Sequence, residues 1–323
     1  MVAVALVFPG QGSQYVGMGR TAAENSPLAA RAFAEADEAL GERISRLAWE
    51  GPAEGLDLTV NAQPAILATS RALLEVWSTK TEGVLPSPSF YAGHSMGQYS
   101  AMVAAGVVSY GDGLRLARRR GELMQASAAD GAMAAIIGLD EGRLEELLAA
   151  GRAAGTLALA NRNAPGQVVI SGERAAVERA SEAARDLGAK RAIILPVSVA
   201  AHSPLMARAA EGMREAIAEV EFHDPGDDRE APLLANADAR PLTTADDCRN
   251  ELIEHLTRGV DWVRAVETMR AAGVDTFVEA GPGKVLTNLI KRIAPEARSI
   301  PIDDPSSPDG VHDPAGTAIG AAS

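Results

Sequence analysis

The pentapeptide Gly93-His94-Ser95-Met96-Gly97 limits the fold of this chain more than any other short segment. The preceding residues 87–92 indicate a short buried strand, and the Ala-rich residues 99–105 indicate a helix. A Gly-x-Ser-x-Gly sequence at such a junction is typical of a sharp strand-to-helix turn that exposes the serine hydroxyl beside backbone amides. The same five letters also occur in glycine-rich loops with an inert serine. With its flanking pattern, the pentapeptide predicts an α/β fold and makes Ser95 a candidate nucleophile.

The rest of the chain alternates short β-branched runs with longer Ala-, Leu-, Arg- and Glu-rich segments. This alternation predicts a mainly parallel sheet in a hydrolase-like large subdomain, formed by residues 1–129 and 199–302. Residues 130–198 follow the order β-α-β-β-α-β, which predicts an inserted ferredoxin-like small subdomain. Within the insert we expect a polar turn at 161–166, and the composition of residues 303–323 predicts a flexible tail.

Charge and composition narrow the function classes. The net charge of −13 argues against nucleic-acid binding as a main role, and an acidic partner would need a local basic patch. The single cysteine, Cys248, excludes an internal disulfide and a cysteine-rich metal site. A chain without disulfides suits the reducing cytoplasm. No run is long and apolar enough to predict a membrane span, and residues 1–8 indicate a first strand rather than a signal peptide. We expect a cytoplasmic monomer without a metal.

A serine nucleophile needs a base, and histidine is the usual one. His202 follows small residues at a predicted strand-to-helix junction, where its ring has room, although spacing alone slightly favours an ordinary surface histidine. His94 adjoins Ser95, but neighbouring side chains on a sharp turn point apart. We therefore expect His94 to form a wall of the pocket rather than to act as the base.

Two further segments carry polar groups of interest. The run Arg118-Arg119-Arg120 is typical of a solvated helix face, but one guanidinium pointing inward would hold a carboxylate through two hydrogen bonds. The loop after the first strand lacks the lysine of a phosphate-binding loop. In that loop, Gln11 could instead offer its backbone amide to an oxyanion.

At this point the chain resembles the malonyl-CoA:acyl carrier protein transacylases of fatty-acid synthesis, which are related to polyketide synthase acyltransferase domains. The resemblance covers about residues 3–293, nearly the whole chain, with its motifs in family order. The matching segments are Phe8-Pro9-Gly10-Gln11-Gly12-Ser13-Gln14, Gln63-Pro64-Ala65, residues 93–97, Arg120-Gly121-Glu122-Leu123-Met124-Gln125, residues 163–172, residues 195–203 and Glu279-Ala280-Gly281-Pro282-Gly283-Lys284-Val285-Leu286.

The resemblance implies a role for each matching residue. Ser95 would take the acyl group, His202 would be the base, and Arg120 would hold the free carboxylate of malonate. Backbone amides would stabilise the oxyanion, and further side chains would contact the substrate or orient the base. The amides would be those of Gln11 and Met96; the substrate-binding residues would be His94, Gln63, Asn163 and Ala201; and the carbonyl of His255 would orient His202.

The same resemblance implies the reaction and its partners. A malonyl group would pass from malonyl-CoA to Ser95 and then to the phosphopantetheine thiol of acyl carrier protein, in a ping-pong scheme without a resident cofactor. The acidic carrier protein would meet a basic rim, for which Lys284, Lys291, Arg292 and either Arg118 or Arg119 are candidates. No nucleic acid or membrane would take part.

The chain departs from the family pattern at four places. Gln98 stands where glutamate is usual and is expected to face away from the substrate. His255 replaces glutamine or asparagine, and Gly259 replaces proline, so the loop around Gly259 is expected to be looser. The small pair Ala200-Ala201 precedes His202 and leaves room for a substituent on the acyl group, so a methylmalonyl substrate stays open.

Three rival functions stay open. The first is a stand-alone polyketide-synthase acyltransferase that loads malonyl or a branched extender. The second is an α/β serine hydrolase, which expects an acidic residue between nucleophile and base and a histidine near the C-terminus. The third is a non-catalytic docking module, against which the presence of both Ser95 and His202 counts.

Overall fold

A computed structural model describes residues 3–81, 87–127, 130–197, 199–225 and 231–303. Within these residues the chain has a mixed α/β fold with two sheets, which confirms the predicted fold class at that level. The flexible tail predicted for residues 303–323 lies outside the described residues, apart from Asp303.

Eleven strands lie in the described residues. In chain order they are β1 (Val4–Phe8), β2 (Phe90–Gly93), β3 (Gly131–Ile137), β4 (Leu157–Ala164), β5 (Gln167–Glu173), β6 (Arg191–Ile194), β7 (Leu233–Leu234), β8 (Pro241–Leu242), β9 (Val260–Asp261), β10 (Thr276–Glu279) and β11 (Arg298–Pro301).

Thirteen α-helices lie in the same described ranges, and short 3-10 turns precede two of them. In chain order the helices are α1 (Arg20–Asn25), α2 (Pro27–Leu40), α3 (Ile44–Glu50), α4 (Ala53–Leu56), α5 (Thr59–Thr81), α6 (Gly97–Ala104), α7 (Tyr110–Ser127), α8 (Leu144–Arg152), α9 (Arg174–Asp186), α10 (Ala207–Ala218), α11 (Ala245–Glu254), α12 (Trp262–Ala271) and α13 (Val285–Ile293).

The first sheet has the strand order β11-β10-β1-β2-β7-β8 and is parallel except for the β7–β8 pair. In parallel strands the carboxyl ends meet at one edge of the sheet, which is where such folds bind ligands. The loops after β1, β2, β7 and β10 therefore converge. Phe8 pairs with Gly93, so the first loop begins directly beside the pentapeptide.

The second sheet has the order β6-β3-β5-β4-β9. Strands β3, β4, β5 and β6 pair antiparallel, and β9 joins β4 in parallel from the segment that follows β8. The polar turn expected at 161–166 is wrong in length, since β4 continues to Ala164 and only Pro165 and Gly166 remain between the strands. The strand continues through its polar residues because β4 pairs with β5 on one edge and with β9 on the other. The register between β4 and β5 is irregular near residues 160 and 163.

Helix α7 packs closely on α5, and this contact positions the arginine run. A Cβ on Gly121 would lie 2.6 Å from the Cα of Val60 in α5, so glycine allows the two backbones to approach. Beside it, Arg120 is 1% exposed. The run is thus not a uniformly solvated helix face, because the packing of α7 turns one of its arginines inward.

Candidate active site

The pentapeptide forms the expected strand-to-helix turn between β2 and α6. Ser95 has a positive φ of 54°, a conformation that costs a non-glycine residue energy and is common at functional turns. The flanking glycines are required sterically. A Cβ on Gly93 would lie 2.1 Å from the Gln98 nitrogen, and a Cβ on Gly97 would lie 2.1 Å from the Phe8 carbonyl oxygen.

We expect Gly97→Ala to lower the free energy of unfolding by about 3 kcal/mol or more, because the added methyl meets backbone that cannot move aside cheaply. Urea denaturation measures this loss. The matched control is Gly111→Ala in α7, where the new Cβ meets only the flexible Arg115 side chain, at 3.4 Å. The control is expected to gain about 0.5 kcal/mol. Equal stability of the two variants would contradict the steric argument.

Ser95 and His202 form a hydrogen-bonded pair. The Ser95 Oγ lies 2.8 Å from His202 Nε2, and His202 Nδ1 lies 2.6 Å from the His255 carbonyl oxygen and 3.2 Å from that of Arg258. Carbonyl oxygens only accept, so Nδ1 carries the proton and Nε2 is free to accept the Ser95 proton. His202 is 3% exposed, so the interpretation as a surface histidine is wrong.

Burial keeps this imidazole neutral. Removal from water, followed by the nearby Arg120 charge, lowers the pKa of His202 from 6.5 to about 3. Burial also lowers the pKa of His94 and of His255, the latter well below 6.5. A neutral His202 is the form that can accept a proton.

These buried histidines predict acid destabilisation. Between the lowered folded pKa values and 6.5 the unfolded chain binds more protons, so the free energy of unfolding falls as the pH drops. Each fully shifted histidine contributes at most about 1.4 kcal/mol per pH unit. Burial raises the pKa of Glu251 to about 6, which gives a smaller opposite contribution between 4.5 and 6.

Urea unfolding at a series of pH values from about 7 to about 5 tests this sign. His202→Gln is expected to flatten the pH dependence, because it removes a group that titrates only in the unfolded chain. His223→Gln, at an exposed histidine, is the matched control and should keep the wild-type slope. Parallel curves for all three proteins would contradict the prediction.

Arg120 brings a buried positive charge to Ser95. Its Nη2 donates to Ser95 Oγ at 3.1 Å, and its Nε has no acceptor within the described residues. No carboxylate in the described part of the chain pairs with it. Its guanidinium lies over the Tyr99 ring, with 5.9 Å from Cζ to the ring centroid. A buried cation in this position suits an anionic group brought in by a substrate.

The first loop packs against the turn and brings Gln11 near Ser95. A Cβ on Gly10 would lie 2.5 Å from the His94 carbonyl oxygen, and the Gln11 side chain is tied to Thr59 Oγ1 at 3.2 Å. The backbone amides of Gln11 and Met96 donate to no acceptor among the described residues. Gln11 lines the cavity at Ser95, and Met96 directly follows Ser95 in the chain.

A cavity of about 200 Å³ opens at Ser95, between the first sheet's loops, the second sheet and α13. Three of the predicted substrate-binding residues line it, namely His94, Asn163 and Ala201. His94 Nε2 lies 2.8 Å from Asn163 Oδ1, so His94 donates there and bridges the two sheets. The fourth, Gln63, is fully buried behind the cavity and contacts the sulfur of Met124, which does line it.

Gln98 and Gly259, two of the four departures from the family pattern, make defined contacts in the structure. Gln98 is outside the cavity lining: its Nε2 donates to the Leu234 carbonyl at 2.9 Å, and its Oε1 accepts from the Gly93 amide at 3.2 Å. Gly259 lies tightly against β4, where a Cβ would come within 2.9 Å of the Leu159 carbonyl oxygen. Close packing of Gly259 does not support the looser loop expected there.

Sequence reasoning missed three polar residues at this site. Asn161 lines the cavity, while Asn236 and Glu251 lie behind Ser95. Asn236 had a usable signal, because it follows β7 at the same sheet edge as Ser95. Glu251 sits inside α11 and has no comparable local sign.

The residues predicted to form a basic rim differ in their surroundings. Lys284 and Lys291 are exposed near α13. The three arginines are engaged with groups of this chain: Arg118 with Asn61 and Glu42, Arg119 with Glu122, and Arg292 with Pro165 and Gln167.

Two kinds of feature are absent from the part of the chain that the structure describes. None of the helices there is long and apolar enough to cross a membrane. In the same residues, histidine, cysteine, aspartate and glutamate form no group of three or more arranged to hold a metal ion.

The chain is similar in sequence and fold to proteins of known family. The model of the acyl transferase domain family matches residues 5–303. A malonyl CoA-acyl carrier protein transacylase of Bacillus subtilis (strain 168) is 45% identical over 310 residues, covering 95% of each chain. An acyl-carrier-protein-S-malonyltransferase structure from Bartonella henselae has a TM-score of 0.89 and 43% identity, covering 94% of this chain and 96% of that one. A type II PKS acyl-carrier protein in complex with its malonyl-transacylase gives 0.87 and 41%, with coverage of 94% and 96%.

Proposed function

The chain belongs to the acyl transferase domain family, and we propose that it transfers a malonyl group from malonyl-CoA to acyl carrier protein through a malonyl ester on Ser95. The family identified from the sequence motifs is confirmed, and the chain is an acyltransferase. The route through Ser95 and the roles of the individual residues are proposals that rest on the geometry of the site.

The observation that carries the proposal is the unpaired guanidinium of Arg120 beside the nucleophile. Its Nη2 lies 3.1 Å from Ser95 Oγ, at the wall of the cavity. A malonyl thioester carries a free carboxylate two bonds from the carbonyl that Ser95 would attack. A fixed, buried cation beside Ser95 binds this carboxylate and leaves an acetyl group without a partner.

In the first half-reaction, His202 Nε2 takes the Ser95 proton while Oγ forms a bond to the thioester carbonyl carbon. The amides of Gln11 and Met96 stabilise the oxyanion that forms. The carbon–sulfur bond then breaks, and coenzyme A leaves as a thiol with the proton from His202. The His255 and Arg258 carbonyls orient the ring in place of the carboxylate of a serine-hydrolase triad.

In the second half-reaction the phosphopantetheine thiol of the carrier protein gives its proton to His202. Its sulfur forms a bond to the ester carbonyl carbon, and the carbon–Oγ bond breaks. Ser95 regains its proton from His202, which restores the enzyme. No resident cofactor is required, since the pantetheine thiols belong to the substrate and the partner.

We propose that residues 130–198 form a ferredoxin-like subdomain inserted in a hydrolase-like large subdomain, with the cavity between them. The acidic carrier protein would dock near exposed Lys284 and Lys291, beside the cavity residues of α13. We also propose a cytoplasmic monomer that serves fatty-acid synthesis.

The test is intact mass spectrometry of the protein mixed with malonyl-CoA alone, followed by addition of holo acyl carrier protein. A malonyl adduct should form with release of one coenzyme A and should move to the carrier protein on its addition. Coenzyme A release without an adduct would indicate hydrolysis. No adduct and no coenzyme A release would refute the transacylase proposal and leave a docking module.

One observation favours a second candidate, a polyketide-synthase loader of branched extenders. The small Ala201 borders the cavity, so an α-methyl group has room there. A methyl group in an apolar pocket changes binding by only about 1–3 kcal/mol, so the two substrates would differ modestly. The same mass assay with methylmalonyl-CoA decides: comparable acylation rates for both would support the loader.

A further inference from the structure

The backbone amide of the nucleophile is held by a side chain from the neighbouring strand. The Ser95 N–H donates to Asn236 Oδ1 at 2.8 Å, and Asn236 lies two residues after β7 and is 4% exposed. Ser95 has a left-handed φ of 54°. A buried hydrogen bond at that residue stabilises a conformation that the backbone would otherwise leave.

Glu251 determines which way the Asn236 amide faces. One carboxylate oxygen of Glu251 accepts from the Asn236 backbone N–H at 2.8 Å and from its Nδ2 at 3.1 Å. A carboxylate accepts and does not donate, so Nδ2 must face Glu251 and Oδ1 must face Ser95. Glu251 is itself 4% exposed, and no lysine or arginine in the described residues forms an ion pair with it.

The same helical turn also holds the base. Glu251 lies in the last turn of α11, and His255 follows that helix directly. The His255 N–H and Nδ1 both bond the Glu251 carbonyl oxygen, at 3.1 and 2.9 Å, and the His255 carbonyl accepts from His202. One end of this helix therefore contacts the base directly and the nucleophile through Asn236.

We propose that Asn236 and Glu251 are positioning residues that aim Ser95 Oγ at His202 and Arg120 for acylation. The pair also occupies the Ser95 amide, which leaves the Gln11 and Met96 amides to bind the oxyanion. Displacement of a reacting atom by about 1 Å costs about 100-fold in rate. For its reaction, this inference rests on the proposed transacylase function.

The test is single-turnover acylation of the whole chain by malonyl-CoA, followed as coenzyme A release. Asn236→Ala should lower the saturating rate constant about 10- to 100-fold, while the half-saturating malonyl-CoA concentration changes less than about threefold. The half-saturating concentration should change little because Arg120 and the cavity, which bind malonyl-CoA, stay intact. Glu251→Gln keeps an oxygen that accepts both Asn236 N–H groups, so it should stay within about threefold of wild type.

If Asn236→Ala does not fold, a double variant that exchanges the amide and the carboxylate between positions 236 and 251 provides the test. Asn236→Asp alone puts a second carboxylate against Glu251 and should slow acylation as much as Asn236→Ala. In the double variant Asn236→Asp/Glu251→Gln, the amide introduced at position 251 donates to the carboxylate introduced at position 236. The oxygen of the same amide accepts the backbone N–H of position 236, so the double variant should recover most of the acylation rate. Thr69→Val is the matched control: it removes a buried hydrogen bond, from Thr69 Oγ1 to the Ala65 carbonyl within α5, and should leave acylation unchanged.

The outcomes separate the inference from the proposed function. If wild type does not acylate, the proposed function fails. If wild type acylates and Asn236→Ala does so equally fast, or if the double variant is as slow as Asn236→Asp, the positioning role is refuted. A variant that loses stability but keeps the acylation rate would likewise make the pair purely structural.

Discussion

Replacement of Ser95 by alanine should eliminate the malonyl adduct and lower transfer to the carrier protein by at least about 10⁴-fold. The Ser95 Oγ is the atom held 2.8 Å from His202 Nε2 and 3.1 Å from Arg120 Nη2, and the substitution removes it without changing the turn. Binding of malonyl-CoA should persist, because Arg120 and the cavity are retained. Isothermal calorimetry measures this binding, and intact mass measures the adduct.

Ser100→Ala is the matched control for this experiment. Ser100 is buried in α6, and its hydroxyl has no hydrogen-bond partner among the described residues, so its loss should change the transfer rate less than about twofold. An adduct of the same mass on Ser95→Ala would place the acyl group elsewhere. Such a result would refute Ser95 as the nucleophile.

Arg120→Met should reverse the substrate preference. Removing one partner of a buried charge pair costs about 3–5 kcal/mol, so kcat/KM for malonyl-CoA should fall by about 10²–10⁴-fold. Acetyl-CoA has no carboxylate to lose, so its acylation rate should stay level or rise. The free protein should become more stable, because a guanidinium with no ion-pair partner in the described residues is replaced by an apolar side chain.

The measurements are initial rates with the two thioesters and urea denaturation of both proteins. Arg118→Ala is the matched control on the same helix, since Arg118 engages Asn61 and Glu42 away from the cavity lining. It should leave the malonyl-to-acetyl ratio unchanged. An equal fall of both rates in Arg120→Met would instead assign Arg120 a structural role.

The elements of the fold differ in how far local sequence could predict them. The composition of residues 110–127 and of residues 63–77 predicts a helix at each place. Helix α7 matches the first range, whereas α5 already starts at Thr59 and carries Pro64 in its interior. The sequence predicts no strand at β8, β9 or β11, because β8 and β9 have two residues each and β11 buries only Ile300. A two-residue strand such as β9 leaves almost no periodic pattern.

The residues of the site also differ in how far local sequence could predict them. The turn at Ser95 was readable because its requirements are local: glycine where a Cβ would strike backbone and an exposed serine between a strand and a helix. Spacing alone could not predict the position of His202, since it lies 107 positions after Ser95 in the chain. The family resemblance assigned both residues their expected roles.

The sequence alone determined the α/β class, the strand-to-helix turn at Ser95 and, through its motifs, the acyl transferase family. These depend on short-range sterics and periodicity, which neighbouring residues carry. Only the tertiary structure decided that the Arg258 carbonyl joins that of His255 at His202, and that Asn236 and Glu251 hold Ser95. Those arrangements depend on which helix faces and sheet edges meet, and this packing is set by the whole chain at once.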